Sequence, residues 1–289
     1  MLHTIQSATN SFSNKLQCIC PKLLTLMFLF SYSVSYRIPA LVNLNDDQTF
    51  LALAEKRKTL SDTNAEVLVM RRGTLKDAKT QDWVSGHQLL SSACLPNHCS
   101  MNPCPVYERE SKTLFLFFVC VPTRVLDLTA DVIGHGVQMK SRRLIIPAYV
   151  YRYTGKPDCT SRCCLSFCCF TSFALAFCSD DQRITWKVGN QMDVESCECQ
   201  MAEIIDEEGK STLYCNARTR LGYRSEALSY NSGEDFGTVL SPNKLIETGN
   251  GCLGSVLSFL EQSNPTKTWL LYSYPSNPKN RVDLGLYLN

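Results

Sequence analysis

The chain has 289 residues, 44% of them hydrophobic and 19% charged, which is ordinary for a globular protein. Lysine plus arginine number 29 against 27 aspartate plus glutamate, a net charge of +2. That balance excludes a disordered or collagen-like chain and gives no electrostatic case for a nucleic-acid partner or a polybasic membrane surface.

Along the chain, Leu23 to Val34 is an uncharged apolar run behind Lys15 and Lys22. It has the flanks of a signal peptide but is too short for a spanning helix, which needs about 20 residues. The body then reads as β. Thr49–Glu55, Glu66–Arg71, Leu114–Val121, Arg143–Tyr151, Thr212–Asn216, Ser255–Phe259, Thr268–Tyr274 and Val282–Leu288 are short apolar or alternating runs. Each is strand-length and ends at Gly, Pro, Asn, Asp or Lys, and no stretch keeps a 3.6-residue period over four turns. Many short strands predict a sandwich, barrel or propeller. With no obvious linker, residues 36–289 read as one domain after a divergent tail of residues 1–35.

Cysteine is the unusual component, at 16 residues, six of them between Cys159 and Cys178. Disulfides need a secretory context, and the chain has no Asn-x-Ser/Thr acceptor (x not Pro) to support one. Zinc needs ligand spacing that the adjacent pairs Cys163–Cys164 and Cys168–Cys169 do not supply, and only four histidines are present. Reduced, partly buried thiols are the expected state. The stretch Cys163–Cys178 is uncharged but only moderately apolar, so it reads as a surface-associating loop or a buried strand.

Two motifs mislead or inform. Gly249-Asn-Gly251-Cys-Leu-Gly254 fits the dinucleotide-binding glycine pattern, but a strand-like run follows it and no acidic residue lies near position 274. Ser179-Asp-Asp181-Gln-Arg-Ile-Thr185-Trp186 is close to an Asp box, a hairpin turn whose Asp satisfies turn amides, with Arg183 in the glycine position. Ser229-Tyr-Asn231-Ser-Gly233-Glu-Asp-Phe236 is a weaker echo, and two such turns suggest repeated β-blades.

A longer ordered series carries a family resemblance. Tyr36-Arg37-Ile38-Pro39 comes first, then Leu51 to Arg57, Asp62, Arg71-Arg72-Gly73 and Ser100 to Pro105. Pro147-Ala-Tyr149-Val-Tyr151, Glu198-Cys-Gln, Asn216-Ala-Arg218 and Arg281-Val-Asp-Leu-Gly285 complete it. The series resembles the vertebrate cytosolic and plasma-membrane sialidases. Leu213 to Arg218, Trp269 to Ser273 and Arg281 to Asn289 point to the membrane-associated, ganglioside-acting members.

The resemblance implies an all-β fold, a six-bladed β-propeller, and an exo-α-sialidase acting on gangliosides, glycoproteins and oligosaccharides. Arg37, Arg218 and Arg281 match the three arginines that bind the substrate carboxylate, a task suited to guanidinium forks. Arg57 resembles a further substrate-binding arginine on the N-acyl side. Asp62 matches the acid/base residue, although Ser61-Asp62-Thr63-Asn64 also reads as a plain turn. Tyr149 and Tyr151 share one face of a strand, and serve either the pocket or the core. Glu198 matches the base beside a tyrosine nucleophile, the choice that avoids carboxylate–carboxylate repulsion.

Two departures accompany the match. The family's nucleophilic tyrosine lies beyond the Arg281 motif, and the sequence ends at Asn289; Tyr287 is not its counterpart. After Val119–Pro122 a segment carrying a pocket glutamate has no equivalent. The expectation is therefore a propeller without a middle segment and its C-terminal closing blade. A sialoside-binding propeller without turnover is the alternative activity, and a protein-contact propeller a third. No cofactor or metal is implied. Sialylated glycolipids and glycoconjugates are the expected partners. Peripheral membrane contact through the Cys159–Cys178 loop is expected at the plasma membrane or endosomal–lysosomal membranes, with a cytoplasmic location as the other option.

Overall fold

A computed structural model describes residues 3–4, 34–44, 48–59, 61, 64–75, 81–122, 130–153, 170–181, 184–237, 245–261 and 267–289. The chain divides into two compact units. One comprises Ile5–Leu126 and Ile133–His135; the other comprises Met1–Thr4, Asp127–Val132 and Gly136–Asn289. Both are built from small antiparallel sheets of the kind a propeller uses as blades. Among the described residues no helix is long and apolar enough to cross a membrane.

In the first unit, Ser35–Leu44, Thr49–Arg57 and Ala65–Leu75 pair in chain order. The short strands Gln81–Trp83 and Gln88–Leu89 both pair with Ala65–Leu75. A separate hairpin joins His98–Glu108 to Thr113–Pro122. The strand Thr49–Arg57 is central and buried on both faces, which explains its nearly unbroken apolar run Leu51–Ala54. The chain leaves it through a turn in which the Lys58 amide donates to the Asn64 carbonyl at 3.0 Å.

The second unit holds three sheets. The first contains Val137–Gln138, Leu144–Tyr153, Phe170–Ser179 and Lys187–Val188, with Ala130–Val132 also on Leu144–Tyr153. The second contains Cys197–Ile205, Ser211–Arg218 and Ser225–Ser229. The third contains Ser255–Leu260, Thr268–Pro275 and Leu284–Leu288, to which His3–Thr4 adds a short strand through Leu288 and Tyr287. One apolar cluster, with Ile145, Ala174, Ala176, Met201 and Cys215, joins the first two sheets. Another, with Ala202, Tyr214, Val256, Leu270 and Tyr272, joins the second and third.

Turns close these sheets with side-chain hydrogen bonds. Asp181 Oδ1 accepts the Thr185 amide at 2.9 Å, and its Oδ2 accepts the Thr185 hydroxyl at 2.6 Å. Asn231 does the same work in the echo motif: its Oδ1 accepts the Asp235 amide at 2.9 Å and the Ser229 hydroxyl at 2.9 Å. Arg143 bridges both turns, with Nε to Asp180 at 2.5 Å, Nη2 to Glu234 at 2.9 Å and Nη1 to the Ser232 carbonyl at 3.1 Å. Arg183 lies outside the described residues, as does Leu23–Ser33 of the apolar N-terminal run.

All eight strands that the sequence predicts are present, with ends that differ by at most four residues. Ser35–Leu44, His98–Glu108, Cys197–Ile205 and Ser225–Ser229 are strands that the apolar runs of the sequence do not reveal. Two prolines and an asparagine disguise His98–Glu108; a bulge between Met101 and Cys104 absorbs Asn102, at φ 53, and Pro103, while Pro105 stays in register opposite Leu116. Of Cys163–Cys178, the described part lies in the strand Phe170–Ser179, which is exposed at Phe170, half-buried at Thr171–Phe173 and Phe177, and buried at Ala174–Ala176, Cys178 and Ser179. The rest of that stretch, 163–169, is outside the described residues. The nine described cysteines are free thiols. The dinucleotide-like glycines run straight into the strand Ser255–Leu260, as the sequence predicts.

Candidate active site

The second unit carries a cavity of about 170 Å³ lined by Tyr149, Tyr151, Ser172, Cys197, Glu198 and Arg218, with Glu195, Ser196, Thr219 and Arg220 completing its wall. The tyrosines come from Leu144–Tyr153, two residues apart on one face. Their rings meet edge to face at 5.6 Å. Tyr149 donates its hydroxyl to Asp131 at 2.7 Å within the buried wall. Burial, and then the Asp131 charge, push the Tyr149 phenol far above its ordinary value. Burial also raises Tyr151. Both therefore stay protonated near neutral pH and act as donors and ring surfaces rather than phenolates.

Glu198 is aimed by backbone distortion. The register between Cys197–Ile205 and Ser211–Arg218 shifts between Cys197 and Gln200, and Glu198 takes φ 38. A non-glycine residue in that region is uncommon and marks a position held by its surroundings. Glu198 Oε2 accepts from Arg218 Nη1 at 2.8 Å, each side chain 20% exposed. Burial opposes the Arg218 charge, but the Glu198 carboxylate outweighs it and firms the cation. Cys197 is a thiol, pushed to about 11 by burial and then by the Glu198 charge.

Arg218 and Arg281 converge on one turn. Arg218 Nη2 donates to the Asn250 carbonyl at 2.9 Å, and Arg281 Nη2 donates to the Gly251 carbonyl at 2.9 Å. Burial raises the Cys252 thiol, while the charges of Arg281, Glu198, Arg218 and Arg224 all reach it, so these groups form one electrostatic neighbourhood. Glu198 offsets one of the two turn-bound guanidiniums. The remaining positive charge suits an anion, and a planar guanidinium suits a carboxylate.

The first unit holds the other predicted residues. Arg37 is half-buried on Ser35–Leu44, where the register shifts between Arg37 and Ala40 and Ile38 takes φ 51. Arg57 is 1% exposed and donates through Nε to Glu55 at 2.6 Å. The other Glu55 oxygen accepts the Asn102 amide at 2.6 Å. Asp62 lies outside the described residues. Within the second unit, the structure brings together Tyr149, Tyr151, Glu198 and Arg218, with Arg281 on the adjoining turn. Sequence reasoning passed over Asp131, Glu195 and Arg220 and the arginine-holding role of Asn250–Gly251. The only signal for the last is the glycine pattern, which mimics a nucleotide fingerprint.

The chain is similar to curated and solved sialidases. Mouse Sialidase-2 is 36% identical, over 88% of this chain and 77% of its own length. Human Sialidase-3 is 35% identical, over 89% of this chain and 76% of its own. Among solved structures, the Hadza microbial sialidase Hz136 superposes with a TM-score of 0.66 at 16% identity, covering 88% of this chain and 56% of that one. The intramolecular trans-sialidase from Ruminococcus gnavus gives a TM-score of 0.60 at 14% identity, over 88% and 80%. No family model matches the chain. The relatives are sialidases, which are glycoside hydrolases, and this chain shares the all-β sialidase fold. The chain belongs to the sialidase family.

Proposed function

We propose that this protein is an exo-α-sialidase that releases terminal sialic acid from gangliosides, glycoproteins and oligosaccharides. The observation that carries the reading is the seating of Arg218 and Arg281 on consecutive carbonyls beside Glu198, next to a tyrosine-lined cavity. Arg37, Arg218 and Arg281 bind the substrate carboxylate, and Arg57 serves the N-acyl side. Tyr149 and Tyr151 form the wall against the sugar. Asp62 protonates the leaving oxygen and then activates water. Glu198 is the base for a tyrosine nucleophile, which in the family lies beyond the Arg281 motif and has no counterpart in this sequence; with that tyrosine the reaction passes through a covalent intermediate and retains configuration. The full fold in this reading is a six-bladed propeller with Asp-box turns. It works at a membrane surface, with the Cys159–Cys178 region as the contact.

The test is hydrolysis of a fluorogenic α-sialoside by the full chain, beside binding of the unsaturated sialic acid glycal. Turnover that falls at least about 100-fold in Arg218→Ala supports the hydrolase, on the scale of losing a charge-assisted fork. Glycal binding without turnover converts the reading to a sialoside-binding protein. Neither binding nor turnover overturns both. Deletion of 159–169 with unchanged membrane association dismisses the membrane contact.

A further inference from the structure

We infer that the turn Glu247–Gly254 is a positioning device for the carboxylate-binding arginines, with Gly251 as its decisive residue. The inference rests on the sialidase reading and adds residues to that site which the motif series does not include.

The turn holds both cations by its backbone. Asn250 O accepts from Arg218 Nε at 3.3 Å and Nη2 at 2.9 Å, and Gly251 O accepts from Arg281 Nη2 at 2.9 Å. A carbonyl can hold a guanidinium this way only if the backbone lies against the side chain. Gly251 permits that approach. Its φ is 89, and a Cβ there would stand 2.6 Å from Arg218 Nε and 2.7 Å from Arg218 Cγ. Any other residue must displace Arg218 or move the turn. Gly254 shows the same economy of space, since a Cβ there would meet the Tyr272 ring at 2.6 Å. The glycine pattern that mimics a nucleotide fingerprint thus has a different physical cause.

A buried network fixes the turn from beneath. Glu247 and Arg224 are fully buried and pair at 3.3 Å. Glu247 Oε1 accepts the Cys252 amide at 3.0 Å and the Tyr274 hydroxyl at 2.9 Å. Arg224 Nη1 donates to the Cys252 carbonyl at 2.7 Å. The turn also grips the loop before Arg281, through Thr248 Oγ1 to the Asn280 carbonyl at 2.8 Å and the Gly249 amide to the Pro278 carbonyl at 2.9 Å. One rigid turn therefore sets both the guanidiniums and the approach of the Arg281 chain.

The experiment compares binding of the sialic acid glycal with binding of its methyl ester, which keeps the sugar and removes the carboxylate charge. Wild-type full chain should prefer the acid. Gly251→Ala should cut that preference about tenfold or more, the scale of one charge-assisted hydrogen bond, while ester binding changes little. Gly209→Ala is the matched control: its φ is 80 and the added Cβ meets only Lys140 Nζ, at 3.9 Å, so it carries the same backbone strain without touching an arginine or the turn. It should leave the acid preference unchanged. Equal losses for acid and ester in Gly251→Ala, or an unchanged preference, would overturn the positioning role. A wild type with no acid preference overturns the sialidase reading and this inference together. If Gly251→Ala does not fold, Glu247→Gln decides: a folded variant with reduced acid preference supports the device, and one with full preference refutes it.

Discussion

Tyr149 shows how one side chain is held for function and stability together. Its hydroxyl donates to a carboxylate, Asp131, that is 4% exposed, and its ring meets Tyr151. Tyr149→Phe keeps the ring and deletes the bond. A buried hydrogen bond to a charged partner is worth about 1.5–3 kcal/mol, so the variant should lose about that much in urea unfolding. The phenol is protonated across the neutral range, so the loss should not vary between about pH 6 and 8. A loss that changes steeply there would mean that Asp131 or Tyr149 titrates, and the assignment of protons would be wrong. Glu55 and Arg57 carry a larger stake. Both are essentially unexposed and paired, so Glu55→Ala removes the carboxylate facing a buried guanidinium and the acceptor of the Asn102 amide. Removing one partner of a buried pair costs about 3–5 kcal/mol, which should appear as a lowered urea midpoint. A change below about 1 kcal/mol would show that Arg57 reaches water or another partner without penalty.

At the scale of elements, the same chemistry explains what could be read and what could not. The eight expected strands share strong apolar runs, such as Leu144–Ala148, whose described side chains are fully buried. That run was legible because both faces meet other protein. His98–Glu108 and Cys197–Ile205 were hidden because bulges at Asn102 and Glu198 break the alternation that pattern reading depends on. The bulge at Glu198 is also what presents the carboxylate to Arg218, so the least legible strand serves the site. Arg37, Arg218 and Arg281 were legible as a motif series only; composition gives an arginine no role. The role of Asn250–Gly251 shows in the sequence only as a glycine pattern, because its contribution is made by carbonyl oxygens, which every residue has. The turn at Asp181 gives a prediction at this scale. The side-chain bond from Thr185, followed by the Thr185 amide, lowers Asp181 from 3.8 to about 2. A depressed carboxylate adds stability that is whole above about pH 4 and is lost as pH falls toward 2. Fluorescence of the nearby Trp186 should report the turn loosening in that window. Asp181→Asn should flatten the response, and an identical acid profile in the variant would remove Asp181 as its source.

For the whole molecule, the nine described cysteines pose one physical question: why so many thiols coexist without pairing among the described residues. The nine that the structure describes are free, and several are sealed in strands, Cys104, Cys199 and Cys215 at 0% exposure. Burial disfavours the thiolate, and the thiolate is the reactive form. Cys178 and Cys197 are pushed from 9.0 to about 11, burial being the first cause in each. At pH 7 a thiol of that kind is ionised in only about one molecule in ten thousand. Cys197 is the informative case, because it lines the cavity and yet should resist alkylation. Native protein treated with iodoacetamide at pH 7 should leave Cys178 and Cys197 unlabelled by mass spectrometry, while urea-unfolded protein labels both. A raised folded value also means stability that is whole below about pH 9 and is lost as pH climbs toward 11. Labelling of Cys197 should therefore begin in that alkaline window together with loss of native structure. Labelling at pH 7 as fast as in urea would show that the thiol is open to water, and that the wall formed by Glu198 and Arg218 does not shield it.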